Sequence, residues 1–427
     1  MEPPRAKARD SWGGILKRLP FIRAINGRGF RPRMYKQGLV FVKTIAILHI
    51  ITNLELGGAQ TNVLDIVKGL DKNKFQVFLI SAEQGPLIKD AGNRENITLK
   101  FVSILKHNIS LVYDLACLLW LIGFIKKNKI KIVHTHSSKA GILGRWAAKL
   151  AGVKVIIHTV HGWSFNDYQS RLIKTLYIFL EKITAYITTK IIVVCEDNQE
   201  KGLGYKIATP KQYQLIRYGV DLNRFYLQDT VENIELTKQH FKIPQQDTVV
   251  AMVACLKPQK NPRDYLQIAE KVLKQRNNVQ FLLIGDGPLR AEIKKIINSK
   301  GLENNFKLLG WRRDIPAILI LSDIVMLTSL WEGLPIALLE AMACSRPVIA
   351  YAVDGVKEII QEGETGFLIR PGDTDYCAQK VLELLDYAGK AKKMGQRARE
   401  FIMLSPYNMQ TMLDDLEKLY LKLLLKK

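Results

Sequence analysis

Cysteine is scarce and scattered. The five in this 427-residue chain, Cys117, Cys195, Cys255, Cys344 and Cys377, are odd in number and show no Cys-x-x-Cys spacing. That argues against a disulfide framework and a zinc cluster, and it fits a reducing, cytoplasmic setting. Long apolar runs are missing too. The longest uncharged one near the middle, Leu115 to Ile125, falls well short of the roughly 20 residues that a spanning helix needs. The basic N-terminus carries no apolar core followed by a small-residue cleavage site, so it does not read as a signal peptide. Acidic residues are in deficit, 40 against 63 Lys and Arg, for a formal net charge of +23. Such an excess favours nucleic acid, phosphorylated metabolites or an acidic membrane surface, and does not choose among them. Apolar residues at 48% and charged ones at 24% exclude wholesale disorder and fibrous architectures. At about 100–200 residues per domain the length predicts two or three domains, each with its own core.

Residues 1–43 concentrate the charge, with 11 Lys or Arg against Glu2 and Asp10, a net of +9. One reading is a solvated basic extension. The other is a peripheral membrane anchor, because Trp12, Ile15, Leu16, Leu19, Phe21 and Ile22 interleave with Lys17, Arg18 and Arg23.

The pattern then changes abruptly. Thr44 to Thr52 is a continuous apolar, β-branched run, as expected for a parallel strand covered on both faces. Gly57-Gly58-Ala59-Gln60 follows, then Val63, Ile66, Val67 and Leu70 at helical spacing. The unit recurs through Phe75–Ser81, Ile130–His134, Val153–Thr159 and Lys190–Cys195, and again from Thr248 through Val279–Gly285, Phe306–Gly310, Ile324–Thr328, Pro347–Ala350 and Gly366–Ile369. Alternating strands and helices predict an α/β chain with parallel sheets. We expect two doubly wound, Rossmann-like domains, 44–221 and 248–404, joined by a linker at 222–247. A C-terminal helix within 405–427 can pack back on the first domain. A ligand cleft is expected between the carboxyl ends of the two sheets.

The densest constellation is Trp331-Glu332-Gly333-Leu334-Pro335-Ile336 running on to Glu340-Ala341-Met342-Ala343. It follows a strand, and Pro335 suits the first position of a helix, where its missing N–H costs nothing. A helix starting there aims unsatisfied N–H groups at the cleft, around Leu334, Pro335 and Ile336, and so offers a phosphate site. Glu332 and Glu340 bracket that site. Carboxylates bind phosphate poorly but suit sugar hydroxyls on either side of it.

This run resembles the E-x7-E signature of retaining glycosyltransferases of family 4, which have the two-domain GT-B fold. The resemblance extends over residues 44–427. It is carried as well by Gly57-Gly58-Ala59-Gln60, His134-Thr135-His136, His161-Gly162-Trp163, Leu256-Lys257-Pro258-Gln259-Lys260, Gly285-Asp286-Gly287-Pro288-Leu289 and Gly363-x-Thr365-Gly366. It implies that Glu332 contacts the donor sugar and Glu340 the ribose of the nucleotide, and that His161 acts near the sugar rather than on a metal. It also implies sugar transfer with retention from a nucleotide-diphosphate sugar, UDP- or GDP-linked, with no metal cofactor. We expect the acceptor to be a glycolipid or a cell-surface polysaccharide precursor, met at the inner face of a membrane.

Chemistry adds to this. Loss of a nucleotide diphosphate develops negative charge on its β-phosphate, which cations and N–H groups stabilise preferentially in the transition state. Lys260, just past the first strand of the second domain, and Lys257 are placed for that task, with the backbone at Gly57 and Gly58 facing them. His136, Ser137 and Lys139 are candidates for acceptor contact. His134 and His136 share one face of a strand, but the sequence nearby offers no third metal ligand. Three positions depart from the family pattern: Cys255 stands where Arg is usual, Tyr218 where Asn is usual, and Asp354-Gly355 where Gly-Gly is usual.

Other readings stay open at this point. A nucleotide-sugar epimerase shares the two-domain fold. A nucleic-acid-binding protein fits the charge but should show clustered stacking aromatics or a known module. A retaining glycosidase needs carboxyls about 5–5.5 Å apart, whereas eight helical residues at about 1.5 Å span roughly 12 Å.

Overall fold

The structure, a computed structural model, describes residues 44–89, 91, 97–106, 110–225 and 230–425. The two readings of residues 1–43 lie outside the described residues. The apolar β-branched runs form two fully parallel sheets. The first holds β1 (Ile45–Ile50), β2 (Phe75–Ser81), β3 (Ile97–Phe101), β4 (Ile132–His136), β5 (Val155–Val160), β6 (Lys190–Val193) and β7 (Tyr213–Leu215). The second holds β8 (Thr248–Val253), β9 (Val279–Ile284), β10 (Phe306–Gly310), β11 (Ile324–Leu327), β12 (Val348–Tyr351) and β13 (Gly366–Ile369). Their orders are β3-β2-β1-β4-β5-β6-β7 and β10-β9-β8-β11-β12-β13. Each order reverses once, between β1 and β4 and between β8 and β11, and ligand crevices of open α/β sheets form at such switch points.

Helices cross over between the strands. In the first half they are α1 (Gly58–Gly69), α2 (Leu111–Lys127), α3 (Ser138–Leu150), α4 (Arg171–Ala185) and α5 (Glu196–Gly204). Then come α6 (Val231–His240), α7 (Pro262–Leu273), α8 (Arg290–Ser299), α9 (Ile315–Leu321), α10 (Ile336–Ala343), α11 (Val356–Ile359), α12 (Thr374–Asp386), α13 (Ala388–Leu404) and α14 (Met409–Leu425). These elements are two Rossmann-like halves. Strands β3 and β7 escape the sequence reading. The first alternates Thr98 and Lys100 with apolar residues at a sheet edge, and the second is three residues long.

The stretch 222–247, expected as a linker, contains α6. This helix lies on α9 and packs Ile234 against the second core, so the connection proper is shorter. Helix α14 returns to the first sheet. Its stripe of Met412, Leu413, Leu416, Leu419, Tyr420 and Leu423 shares a core with Ile47, Ile51 and Phe75. The two chain crossings run side by side, with the Val220 N–H donating to the Tyr407 carbonyl at 2.8 Å. A Cβ on Gly219 would stand 2.4 Å from Met409 Cα, so only glycine allows that approach.

Candidate active site

Two loops of the second half build the centre. After β8 the chain makes a 3-10 turn, Pro258–Lys260, and Asn261 takes a left-handed φ of 45° before α7 begins. Thr328, just past β11, donates its hydroxyl to the carbonyls of Lys260 (3.1 Å) and Asn261 (2.9 Å). Gln259 donates to the Trp331 carbonyl at 2.9 Å, and the Leu330 N–H donates to the Gln259 carbonyl at 2.8 Å. These bonds lock the two loops together, and the Lys260 ammonium consequently forms an ion pair with the buried Glu332 carboxylate. Pro335 is the N-cap of α10 rather than its first helical residue, with φ −77° and ψ 99°. Its extended ψ starts the helix one position later, at Ile336.

The two halves enclose a cleft of about 640 Å3. Glu332, His161, Lys260, Glu340, Lys257, Gly57, Gly58, Leu334, Pro335 and Ile336 all line it. Contact across it is close: a Cβ on Gly333 would meet the His161 carbonyl at 2.1 Å, and Lys257 pairs with Glu55 at 3.2 Å. The three acceptor candidates are not brought to the cleft wall. His136 is fully buried behind His161. The Ser137 hydroxyl is taken by Thr52 Oγ1 at 2.7 Å, and Lys139 pairs with Asp114 at 2.6 Å.

Several cleft residues carried no sequence signal. Asp65 on α1 faces Glu340 on α10, with Arg224 between them in charge. Desolvation pushes the Glu340 carboxyl up to about 7 and that of Asp65 up to about 6, both opposed by Arg224. Arg312 and Arg313 also line the cleft, so guanidinium groups are present although Cys255 is not one. Each of these depends on which loops the fold juxtaposes, and no local motif marks them. Asp354, with φ of 35°, keeps a conformation that glycine tolerates better, and its carboxylate accepts the Glu332 N–H at 2.7 Å. Gly355 must stay glycine, because a Cβ would meet the Gly333 carbonyl at 2.3 Å.

Behind His161 lies a chain of imidazoles. Tyr218 hydroxyl bonds His161 Nδ1, His161 Nε2 bonds His136 Nδ1 at 3.0 Å, and His136 Nε2 bonds His49 Nδ1 at 3.1 Å. Burial pushes His161 and His49 down to about 3, and His136 well below the ordinary value, so all three rings are neutral. Each N–H···N bond needs one protonated and one bare nitrogen, which couples the three tautomers. The sequence reading found no third ligand beside His134 and His136, and the sheet corrects that. Strand pairing sets His49 opposite His134, and ligand atoms of the three lie within 4.8 Å of one another. His134 has both nitrogens engaged, with Tyr420 hydroxyl at 2.6 Å and Thr159 at 2.7 Å, and His136 likewise through His161 and His49, whereas the buried Nε2 of His49 has no hydrogen-bond partner.

Comparison with known proteins agrees with this architecture. The sequence profile described as "Glycosyltransferase Family 4" matches residues 56–224, and "Glycosyl transferases group 1" matches 233–401. The chain is 34% identical over 388 residues to the UDP-Gal:alpha-D-GlcNAc-diphosphoundecaprenol alpha-1,3-galactosyltransferase of Escherichia coli, covering 90% of this chain and 98% of that one. It is 24% identical to the capsular polysaccharide biosynthesis glycosyltransferase CapM of Staphylococcus aureus, over 83% and 92%. Among solved structures, sucrose-phosphate synthase from Thermosynechococcus elongatus superposes with a TM-score of 0.78 at 20% identity, covering 90% of this chain and 100% of that one. Anabaena HepE in complex with UDP and glucose does so with a TM-score of 0.77 at 19%, covering 88% and 100%. The E. coli and S. aureus relatives are transferases by name, and epimerisation, left open by the sequence, is not supported. The chain belongs to the family 4 glycosyltransferases and is a glycosyltransferase of GT-B fold.

Proposed function

We propose that this glycosyltransferase moves a sugar, with retention, from a UDP-linked donor in the cleft to a lipid-linked, diphosphate-bearing saccharide at a membrane surface. The observation that carries the site is the meeting of Lys260, Glu332, Glu340 and the start of α10 in one cleft. Support for UDP over GDP, and for a lipid-linked acceptor, comes from the name of the E. coli relative. Retention follows from the family resemblance.

In this reading the second half is the donor domain and the first the acceptor domain. Glu340 accepts from the ribose hydroxyls. The α10 N–H groups and Lys260 face the diphosphate, with Lys257 and the Arg312–Arg313 pair at its rim. As the bond from the anomeric carbon to the β-phosphate oxygen breaks, charge grows on that oxygen, and Lys260 and the helix N–H groups stabilise it there. This division of labour asks nothing of a metal. Glu332, held between Lys260 and the Asp354-capped backbone, accepts from sugar hydroxyls. Neutral His161, its two ring nitrogens held by Tyr218 and His136, forms the opposite wall against which the sugar packs. The overall basic charge serves the nucleotide sugar and a lipid surface rather than nucleic acid.

The test is a thermal-shift panel followed by transfer assays. A UDP-sugar at 100 times its dissociation constant should add about 2.7 kcal/mol, and the stabilising donor should then label a diphosphate-linked lipid saccharide. Stabilisation by GDP-sugars alone would overturn the donor assignment, and labelling of free oligosaccharide alone would overturn the acceptor.

A further inference from the structure

Lys257 of the second half meets a carboxylate from the first half across the cleft. Its ammonium stands 3.2 Å from Glu55 Oε2. Glu55 follows β1 at the carboxyl end of the first sheet and lies just before the Gly57-Gly58 start of α1. Its other oxygen accepts from the Asn53 amide at 2.8 Å. Asn53 is buried and in turn accepts from the Gln60 amide at 3.5 Å, so Glu55 is braced from behind while it faces Lys257. Both members of the pair are close to half exposed, 47% for Lys257 and 42% for Glu55. An ion pair this open to water holds weakly. A diphosphate brings more than one negative charge to the same ammonium and to Lys260, and it outcompetes a single carboxylate for them.

The acceptor side of the cleft lacks any other carboxylate placed for a saccharide near the reacting bond. His136, Ser137 and Lys139 are not at the cleft wall, and His161 has both ring nitrogens held. Asp65 lies seven residues into α1, roughly 10 Å along it, and faces Glu340 at the ribose end. Glu55 sits at the opposite end, where Cys255 is within electrostatic reach of Glu55, Lys257 and Lys260 together. Retention places the new bond on the face that the phosphate leaves, so the incoming hydroxyl arrives beside those same cations. A carboxylate there accepts hydroxyl or amide protons from a saccharide, and its charge makes each bond stronger than a neutral side chain would.

We propose that Glu55 binds the acceptor saccharide, and that its ion pair with Lys257 opens when the donor diphosphate takes the lysine. The inference rests on the sugar-transfer reading of the cleft. Donor and acceptor are then coupled through one ammonium. UDP frees Glu55 and so raises acceptor affinity, and the acceptor raises UDP affinity by the same factor.

Glu55→Gln in the full chain tests it, because glutamine keeps an oxygen for Asn53 and loses the charge. Calorimetric titration with UDP should show binding tightened about two- to fivefold, since Lys257 has lost its competitor. The acceptor KM should rise on the order of tenfold. That KM is read on whichever probe the parent glycosylates, GlcNAc joined through diphosphate to a short-chain lipid or a free oligosaccharide. In a Lys257→Ala background, adding Glu55→Gln should give almost none of the gain in UDP affinity. Glu55→Ala, which removes the group without supplying an amide, should move both ligands in the same directions as Glu55→Gln. Opposite signs for the two ligands support the proposal, whereas a merely structural role weakens both together. Unchanged or weaker UDP binding, or an unchanged acceptor KM, in a variant that melts like the parent overturns it. Transfer by the parent to the free oligosaccharide alone would sink the lipid-linked acceptor and keep this inference, provided the two signs hold on that probe.

Discussion

At the residue scale, Lys260 and Glu340 have the clearest consequences. Removing a preorganised cation from the leaving diphosphate typically costs 10²–10³ in turnover. Lys260→Ala should therefore lower kcat by about that factor in steady-state assays, and it should lower the melting temperature as well, because the buried Glu332 carboxylate loses its partner. Glu340 behaves differently because of its environment. Its carboxyl, raised from the ordinary 4.5 to about 7, keeps a proton in the folded state that the unfolded chain has already released. Folding stability from this group is thus highest below about 4.5 and falls as pH rises through about 7. In Glu340→Gln that slope is absent, so the variant's melting temperature relative to the parent should climb between pH 5 and 8. A constant difference across that range would contradict the buried-carboxyl account. UDP affinity should drop in the same variant, because the amide offers the ribose hydroxyls one acceptor oxygen where the carboxyl offers two.

At the scale of elements, the segment 217–221 joins the halves and bears two neighbouring residues with separate jobs. Tyr218 stands where the family pattern has Asn, and it reaches His161 from beneath the cleft. Tyr218→Phe removes one end of the imidazole chain and should cost about 0.5–1.5 kcal/mol of stability. Because the tautomer of His161 is then no longer fixed from that side, kcat should fall on the order of tenfold while the donor KM holds. Tyr218→Asn, if it restores the bond, should recover part of kcat, which a purely packing role for the ring would not allow. Next to it, Gly219→Ala forces a Cβ against backbone at Met409 and Asn408. We expect about 1–3 kcal/mol of destabilisation by denaturant titration, with the loss traced to the two crossings rather than to either sheet.

On the scale of the whole molecule, the two halves are not independent beads. The last helix belongs to the first sheet although the preceding helix, α13, belongs to the second core. Six buried side chains of α14, at about 1.5–3 kcal/mol each, amount to roughly 9–18 kcal/mol of burial, comparable with the 5–15 kcal/mol stability of a typical domain. Truncation after Leu404 should accordingly leave the first half unable to fold. Limited proteolysis should degrade 44–221 and spare the second half, and equal resistance of both halves would show that α14 is dispensable.

The strand–glycine–helix repeats, the two-domain α/β class and the ten residues now lining the cleft were all legible in the sequence. They are written in local patterns: β-branched runs, glycine turns and a helix start flanked by carboxylates, each set by neighbours within a few positions. Tertiary structure alone decided the rest. Asp65, Arg224 and Glu340 lie far apart along the chain and meet only because α1 and α10 face each other across the cleft. His49 joins His134 and His136 only through the pairing of β1 with β4, and His136 itself is buried and absent from the cleft wall. The apolar run at 115–125 shows in the sequence only that it is too short to span a membrane. It becomes a half-open surface because its strand partners can cover only one face of an edge helix, while periodicity reports which residues share a face and not whether anything lies against it.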